Sequence, residues 1–191
     1  MSLETIASSF LLVAASEMGD KTQLLAFSLA TRFRRPWAIM AGILVATTLN
    51  HGLASSLGSW ISANVPPRLM AGILAATFLG FGLWTLKPDT LEGSPGPERF
   101  GAFATTTVLF FLAEMGDKTQ LATVALAAQF RSVVAVTVGT TIGMLAADGL
   151  AVFLGERLAA RVQMKWIRWV AASLFFVFGA VALGSALVAP R

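Results

Sequence analysis

The 191-residue sequence contains no cysteine and few charged residues, and each shortage excludes a class of function. Without cysteine the chain has no disulfides, no thiolate ligands for zinc and no thiol redox chemistry. Charged residues make up 13% of the chain and hydrophobic residues 56%, whereas soluble domains carry roughly a quarter charged residues. A soluble core of this size could not bury so much apolar surface. The composition therefore predicts an all-α integral membrane protein with almost no extramembrane domain.

Apolar stretches long enough to cross a bilayer recur along the whole chain. They predict six transmembrane helices, at residues 3–30, 37–62, 68–86, 101–129, 133–155 and 166–188. All seven prolines and all five tryptophans fall at or near the ends of these segments or between them, as expected at a membrane interface. No basic residue precedes the first apolar run, so we expect a span there and not a secretory signal.

The basic residues between the predicted spans set the expected orientation. Nine of them lie in the first, third and fifth connections and three on the opposite side, so the first group should face the cytoplasm. The linker at residues 87–100 would then be cytoplasmic, and both termini would face outward. The net charge of +4 does not indicate nucleic-acid binding, because the basic residues lie between spans and not along one face.

The octapeptide EMGDKTQL occurs twice, at residues 17–24 and 114–121. A shift of 97 positions places the first half of the chain on the second without a gap. The repeats, residues 1–86 and 101–191, each contain three predicted spans. Because three is an odd number, we expect the second repeat to be inverted relative to the first. Transporters built on this plan bind their substrates near the bilayer midplane, between the repeats.

Each octapeptide places three ionisable side chains inside an apolar segment. Glu17 lies about 20 Å of helix from either end of its predicted span, too far for its carboxylate to reach water. A charge at that depth costs about 2.5–3.5 kcal/mol unless it is paired, hydrated or bound to an ion. Helical spacing predicts that Glu17, Asp20 and Lys21 share one face of a single helix. Their equivalents in the second repeat are Glu114, Asp117 and Lys118.

If the repeats bring these two faces together, four carboxylates and two ammoniums give a formal charge of −2. One divalent cation or two protons would neutralise it, which predicts a cation/proton exchanger. The predicted ion ligands are Glu17, Asp20, Glu114 and Asp117, and further oxygens could come from Thr22, Gln23, Thr119 and Gln120. Such a site suits hard ions such as Ca²⁺, Mn²⁺ or Mg²⁺. Gly19 and Gly116 could let the helices open, so that backbone carbonyls also reach the ion.

Two further ionisable residues, His51 and Asp148, are equivalent under the shift of 97 and lie in the middle of predicted spans. Asp148 is interpreted as an extra ligand or a proton carrier. His51 is interpreted either as a proton-coupling group, since imidazole titrates near neutral pH, or as a polar core residue. The G-x-x-x-G stretch from Gly139 to Gly143 predicts close helix packing.

Other interpretations of the motifs are open at this point. The acids and lysines could form salt bridges inside each motif and only hold helices together in a non-transporting scaffold, although one lysine cannot neutralise two acids. The acids could relay protons alone, or the chain could export another small cation or an amino acid. An intramembrane hydrolase is disfavoured, because the sequence has no serine–histidine pair at equal depth and no zinc motif.

The sequence EMGDKT, at residues 17–22 and 114–119, resembles the duplicated E-x-G-D-K-[TS] motif of the family once called uncharacterised protein family 0016. That family includes Golgi manganese/calcium transporters and bacterial manganese exporters, and it is related to the lysine-exporter superfamily. The resemblance implies alternating-access exchange of Mn²⁺, or Ca²⁺, for protons across a bacterial inner membrane. The ion would be a substrate, with no cofactor, and oligomer formation is left open. The motif acids would bind it, and Lys21, Thr22, Lys118 and Thr119 would complete the motifs.

Overall fold

The computed structural model describes residues 2–87, 101–161 and 164–188, and the secondary structure within these ranges is entirely helical. The described residues form α1 (Leu3–Glu17), α2 (Lys21–Phe33), α3 (Pro36–Asn64), α4 (Pro67–Thr85), α5 (Ala102–Glu114), α6 (Lys118–Phe130), α7 (Val133–Arg161) and α8 (Met164–Val188). Residues 88–100, which make up nearly all of the predicted linker, lie outside the described residues.

Four of these helices contain segments long and apolar enough to cross a membrane. The segments are Pro36–Asn64, Pro67–Thr85, Val133–Leu154 and Arg168–Val188, and Ala102–Glu114 is a shorter apolar helix. The four long segments correspond to the second, third, fifth and sixth predicted spans. The observed helices end within about two residues of the predicted boundaries, except that α7 continues to Arg161.

The first and fourth predicted spans are wrong as single helices. Residues 3–30 are divided between α1 and α2, and residues 101–129 are divided between α5 and α6. The predicted common face of Glu17, Asp20 and Lys21 on one helix is therefore also wrong, because α1 ends at Glu17 and α2 begins at Lys21. The same correction applies to the second motif.

Each break is a tight turn that glycine makes possible. Met18 has φ −64° and ψ 113°, Gly19 has φ +81°, and the N–H of Asp20 donates to the C=O of Glu17 over 3.0 Å. These features define a type II β-turn, whose third residue needs a positive φ. The second break repeats the turn at Glu114, Met115, Gly116 and Asp117, with φ +75° at the glycine and a 3.1 Å hydrogen bond. The tetrapeptide EMGD is therefore the turn itself.

A glutamine closes each turn from the helix that follows it. Oε1 of Gln23 accepts a hydrogen bond from the N–H of Gly19 over 2.8 Å, and Oε1 of Gln120 accepts one from Gly116 over 2.7 Å. Backbone donors at the start of a helix have no partner inside that helix. The glutamine three residues after each aspartate supplies a partner for the glycine N–H and so ties the turn to the helix that follows.

Each broken pair of helices lies along the long central helix of the other repeat. α1 approaches α7 at Gly139 and Gly143, where an added Cβ would lie 2.5 and 2.8 Å from backbone oxygens of α1. The packing role predicted for these glycines is confirmed. α2 continues along α7 to Ala147, whose C=O accepts from Nε2 of Gln23 over 2.9 Å. α5 and α6 follow α3 in the same manner, with close approaches at Gly42 and Gly58.

Equivalent helices also meet each other. α4 packs against α8 through the equivalent residues Phe78 and Phe175, whose ring centroids are 6.5 Å apart. α3 passes α7 in the antiparallel direction, because Thr137 Oγ1 lies 3.5 Å from the C=O of His51 while Gly149 faces Met40. These contacts describe an approximate twofold axis between the two repeats.

The two turns consequently divide the molecule into two halves. The α6 half consists of α6, most of α1, the later part of α3 and the earlier part of α7. The α2 half consists of α2, α5, the earlier part of α3 and the later part of α7. Helices α1 and α6 contact each other, as do α2 and α5, which agrees with this division.

The turn geometry predicts a stability cost for removing one glycine. Replacing Gly116 by alanine places no atom within 4 Å of the new Cβ, so Gly116→Ala isolates the strain of a positive φ. We expect a loss of about 1–2 kcal/mol in the free energy of unfolding, measured by denaturant unfolding in detergent micelles. The matched control is Gly80→Ala inside α4, where the added Cβ also meets nothing. It should be neutral or stabilising by up to about 1 kcal/mol. Equal effects of the two substitutions would contradict the turn assignment.

Candidate metal centre

The two turns bring the motif carboxylates together at the centre of the molecule. Glu17, Glu114 and Asp117 each place a carboxylate oxygen within 4.8 Å of the other two, and all three residues are buried. Asp20 is also buried. Hard divalent cations are held by several carboxylate oxygens that converge in this way. The convergence arises because the two turns are adjacent, and not because the acids share a helix.

The lysines pair across the repeats. Lys21 Nζ lies 2.9 Å from Oδ1 of Asp117, and Lys118 donates to Oδ1 of Asp20. Helical side chains lean toward the N-terminus of their helix, so a lysine at the first position of α2 or α6 extends past its own turn to the opposite one. Pairing of acid and lysine inside each motif, one of the sequence-based alternatives, is therefore wrong for these contacts.

Glu17 is held by two threonine hydroxyls, one from each repeat. Thr22 donates to Oε2 of Glu17 over 2.7 Å, and Thr119 donates to Oε1. Neither carboxylate oxygen of the equivalent residue, Glu114, has a hydrogen-bond partner within the described part of the chain. The approximate twofold symmetry is thus broken at the site itself, with one glutamate satisfied and the other available to a ligand.

Asp148 of α7 belongs to the same group of acids. It is fully buried, and the charges of Glu17 and Asp20 act on it. Glu114 in turn is affected by the charge of Asp148. Both oxygens of Asp148 and Oδ2 of Asp117 lack partners among the residues that the structure describes. A buried acceptor without a donor costs about 1–3 kcal/mol, and a bound cation or a proton would remove that cost.

His51, the equivalent of Asp148, lies on α3, the central helix of the other repeat. It is fully buried, and neither ring nitrogen has a partner in the described ranges. The antiparallel crossing of α3 and α7 places His51 in the α6 half, whereas its equivalent Asp148 lies in the α2 half.

The glutamine oxygens predicted to extend the site have another role. Oε1 of Gln23 and Oε1 of Gln120 accept the glycine N–H groups of the turns. Their amide nitrogens reach the opposite repeat, where Gln23 donates to Ala147 and Gln120 donates to Oδ1 of Asn50 over 3.3 Å. Ala147 and Asn50 are equivalent under the shift of 97. The glutamines therefore fix the turns against the central helices, a role that helical spacing alone did not reveal.

The site is more exposed on one side. The side chain of Lys21 is 31% exposed and that of Lys118 is 4% exposed. α6 also packs more extensively along α3 than α2 packs along α7. Because Lys21 begins α2 and Lys118 begins α6, the structure is closed in the α6 half and more open in the α2 half.

The pairing across repeats predicts a pattern of stability changes. Lys118→Met leaves Asp20 without its ammonium and should destabilise the protein by about 3–5 kcal/mol, measured by unfolding in detergent micelles. Adding Asp20→Asn should recover most of that loss, because the double variant has no uncompensated charge. The matched control adds Asp117→Asn instead. It should deepen the loss, because Lys21 then loses its own partner. Recovery with Asp117→Asn and not with Asp20→Asn would contradict the assignment.

Comparison with known proteins identifies the family. The family model described as "Divalent cation/proton antiporter GDT1" matches residues 5–93 and 102–189. A Vibrio cholerae protein named "Putative manganese exporter" is 41% identical over 176 residues, 92% of this chain and 88% of its own. A GDT1-like protein from Synechocystis is 30% identical over 199 residues, 94% of this chain and 96% of its own. No solved structure matches the chain significantly. The resemblance seen in the motifs is confirmed: the chain belongs to the GDT1 family of divalent cation/proton antiporters, and it is a multi-pass membrane transporter and not an enzyme.

Proposed function

We propose that the protein exchanges a divalent cation, Mn²⁺ in preference to Ca²⁺, for protons across a bacterial inner membrane. The observation that carries the proposal is the convergence of buried oxygens from Glu17, Glu114 and Asp117 within 4.8 Å. The family supports a divalent cation and protons as substrates. The name of the Vibrio cholerae relative supports manganese. The bound ion is then the transported substrate.

The proposed membrane arrangement has six spans in two inverted repeats, residues 1–86 and 101–191. Helices α1 and α2 together form the first span, and α5 and α6 together form the fourth. Three observations support the arrangement: the antiparallel crossing of α3 and α7, the match of the family model to each half of the chain, and the interrupted helices that meet at the centre. The distribution of basic residues supports an orientation with the α2 half and the linker toward the cytoplasm and both termini outside.

Within this arrangement, the oxygens without partners are the first ligands. Glu114 and Oδ2 of Asp117 can accept a cation without breaking any hydrogen bond among the described residues, and Asp148 can join them. Glu17 and Asp20 would contribute as Thr119 and Lys118 release them. Only oxygen atoms are offered, which favours hard ions over copper or zinc.

Charge provides the coupling between cation and protons. The four motif acids and two lysines carry a formal charge of −2, which either one divalent cation or two protons can neutralise. Binding both together would leave uncompensated positive charge in a medium of low polarity, and binding neither would leave uncompensated negative charge. Protonation of the carboxylates on one side therefore releases the ion there, and loading of the ion on the other side expels protons.

Access from the cytoplasmic side is proposed to run beside Lys21. Its ammonium is half-buried and occupies Oδ1 of Asp117, so an arriving cation competes with it for the same carboxylate. Displacement of Lys21 toward the open α2 half would let Asp117 turn fully to the ion. The lysine thus acts as a resident counter-charge that keeps the acidic site stable between transport cycles.

A non-transporting scaffold is the second candidate. The observation in its favour is that the two ion pairs join the repeats. A scaffold needs the pairs alone. It gives no role to Glu114 and Asp148, whose buried oxygens face no donor among the described residues. Transport and binding measurements separate the two candidates.

Flux through reconstituted vesicles is the direct test. Protein in proteoliposomes with an acidic interior should accumulate Mn²⁺, and Ca²⁺ more slowly, and should release protons as it does so. Loss of a residue that only supports a metal ligand lowers metal affinity or activity by roughly 10–100-fold. Glu114→Gln removes a proposed ligand itself, so it should reduce Mn²⁺ flux by more than that. The matched control, Glu4→Gln, alters an exposed glutamate in the first turn of α1 and should leave flux unchanged. Flux that ignores the pH gradient would refute antiport, and no divalent flux would refute the transporter proposed here.

Binding can be measured without transport. Mn²⁺ at about 100 times its dissociation constant should stabilise the protein in detergent by about 2.7 kcal/mol, seen as a rise in the unfolding temperature. The rise should disappear in Asp117→Asn and persist in Glu4→Gln. A scaffold would show no rise in any of the three proteins. A rise that survives in Asp117→Asn would place the cation elsewhere.

A further inference from the structure

The α6 half contains a row of buried polar side chains without hydrogen-bond partners among the described residues. The row consists of Thr47, His51, Ser55 and Ser62 on α3 and Thr141 on α7. The first three are fully buried, and the other two are nearly so. Buried polar groups are normally paired, and a group of unpaired ones in one place indicates water or an ion that binds there at some stage.

Helical spacing aligns this row. Its members on α3 follow at intervals of four, four and seven residues, which keeps them on one face. Gly58 lies on the same face and packs so closely on α6 that an added Cβ would be 2.1 Å from the C=O of Val124. The row therefore runs along α3 beside the α6 contact, from the centre of the molecule to the end of the helix.

The row begins at the candidate metal centre. Asn50, next to His51, accepts from Gln120, which closes the second turn. Thr137 of α7 lies over the backbone of His51, and Thr141 lies one turn closer to the centre. Polar side chains of α3 and α7 thus extend from the acids into the α6 half, where the structure is closed.

The repeat symmetry does not account for the row. The positions shifted by 97 hold Leu44, Met144, Val152 and Ala159 in place of Thr141, Thr47, Ser55 and Ser62. Only His51 has an ionisable equivalent, Asp148. Since the apolar side chains would fill these positions at lower cost, the hydroxyls of the α6 half need a separate explanation.

We propose that the row lines the second access route of the transporter, which is closed in this structure and fills with water when the site opens toward the α6 half. This inference rests on the proposed function, because a scaffold needs no second route. Hydroxyl and imidazole groups both donate and accept hydrogen bonds, so they can accompany a hydrated cation or protons. Hydration of the row compensates for separating α6 from α3, and the close contact at Gly58 holds the closed state together.

The two routes therefore differ in chemistry. Beside the α2 half, an ion meets the ammonium of Lys21 and the carboxylate of Asp148. Beside the α6 half, it meets neutral hydroxyls and His51. A route without fixed acids retains a divalent cation weakly, and this suits the side on which the ion leaves.

The absence of cysteine makes the test direct, because any thiol in a variant is the introduced one. Ser55→Cys places a thiol in the row. Ser56→Cys, its matched control, places one on the exposed outer face of α3, where lipid surrounds it. A membrane-impermeant thiol reagent, applied to proteoliposomes during Mn²⁺/proton exchange, should label Ser55→Cys at least about tenfold faster than Ser56→Cys, because only a thiol in contact with water ionises and reacts. Labelling after denaturation in sodium dodecyl sulfate verifies that both thiols are present.

Flux measured on the same vesicles separates the two proposals. If Mn²⁺ flux is normal but Ser55→Cys is labelled no faster than Ser56→Cys, the route is overturned and the proposed function stands. If the unmodified protein carries no divalent cation, the proposed function is overturned and the route falls with it. Ser55→Cys can also be combined with Glu114→Gln, which blocks exchange. If Ser55→Cys alone is labelled faster than Ser56→Cys and the double variant is not, the result supports the proposed function and the second route.

Discussion

A carboxylate in the middle of a bilayer must find its counter-charge inside the protein, and the centre of this structure follows from that requirement. Two glycine turns bring Glu17 and Glu114 to the same depth, and each lysine neutralises an aspartate of the other repeat. The remaining negative charge is what the proposed cation would neutralise. The long helices, the close glycine contacts and the phenylalanine packing of α4 on α8 all serve to hold these two turns together.

The two copies of the octapeptide are identical in sequence, but their side chains make different contacts at this centre. The duplicated octapeptide supplies matched groups, yet Thr22 and Thr119 both donate to Glu17 and leave Glu114 without a donor among the described residues. Lys21 is also more exposed than Lys118. A transporter with two identical halves can exchange the roles of its equivalent residues as it changes state. In the proposed alternating-access cycle, the asymmetry seen here belongs to one state.

The sequence was sufficient for the membrane class, the repeat and the approximate position of four long helices, because hydropathy and duplication are properties of composition and spacing. It also identified the acids that converge. It did not reveal the break of the helix, since Gly19 in an apolar run is compatible with a continuous helix at a cost of about 1 kcal/mol. It could not reveal that Lys118 reaches Asp20, because a contact between repeats depends on their packing. Nor could spacing show that Gln23 and Gln120 close the turns, because that role exists only once the turns do.

The pairing between repeats has a consequence for how the protein is made. The first repeat leaves the ribosome before the second, and at that stage Lys21 and Asp20 lack the partners Asp117 and Lys118 that they have in the complete structure. We therefore expect the first broken helix to reach its final packing only when α5 and α6 supply those partners. Folding of the two repeats is in this sense a single event, because each repeat completes the ion pairs of the other.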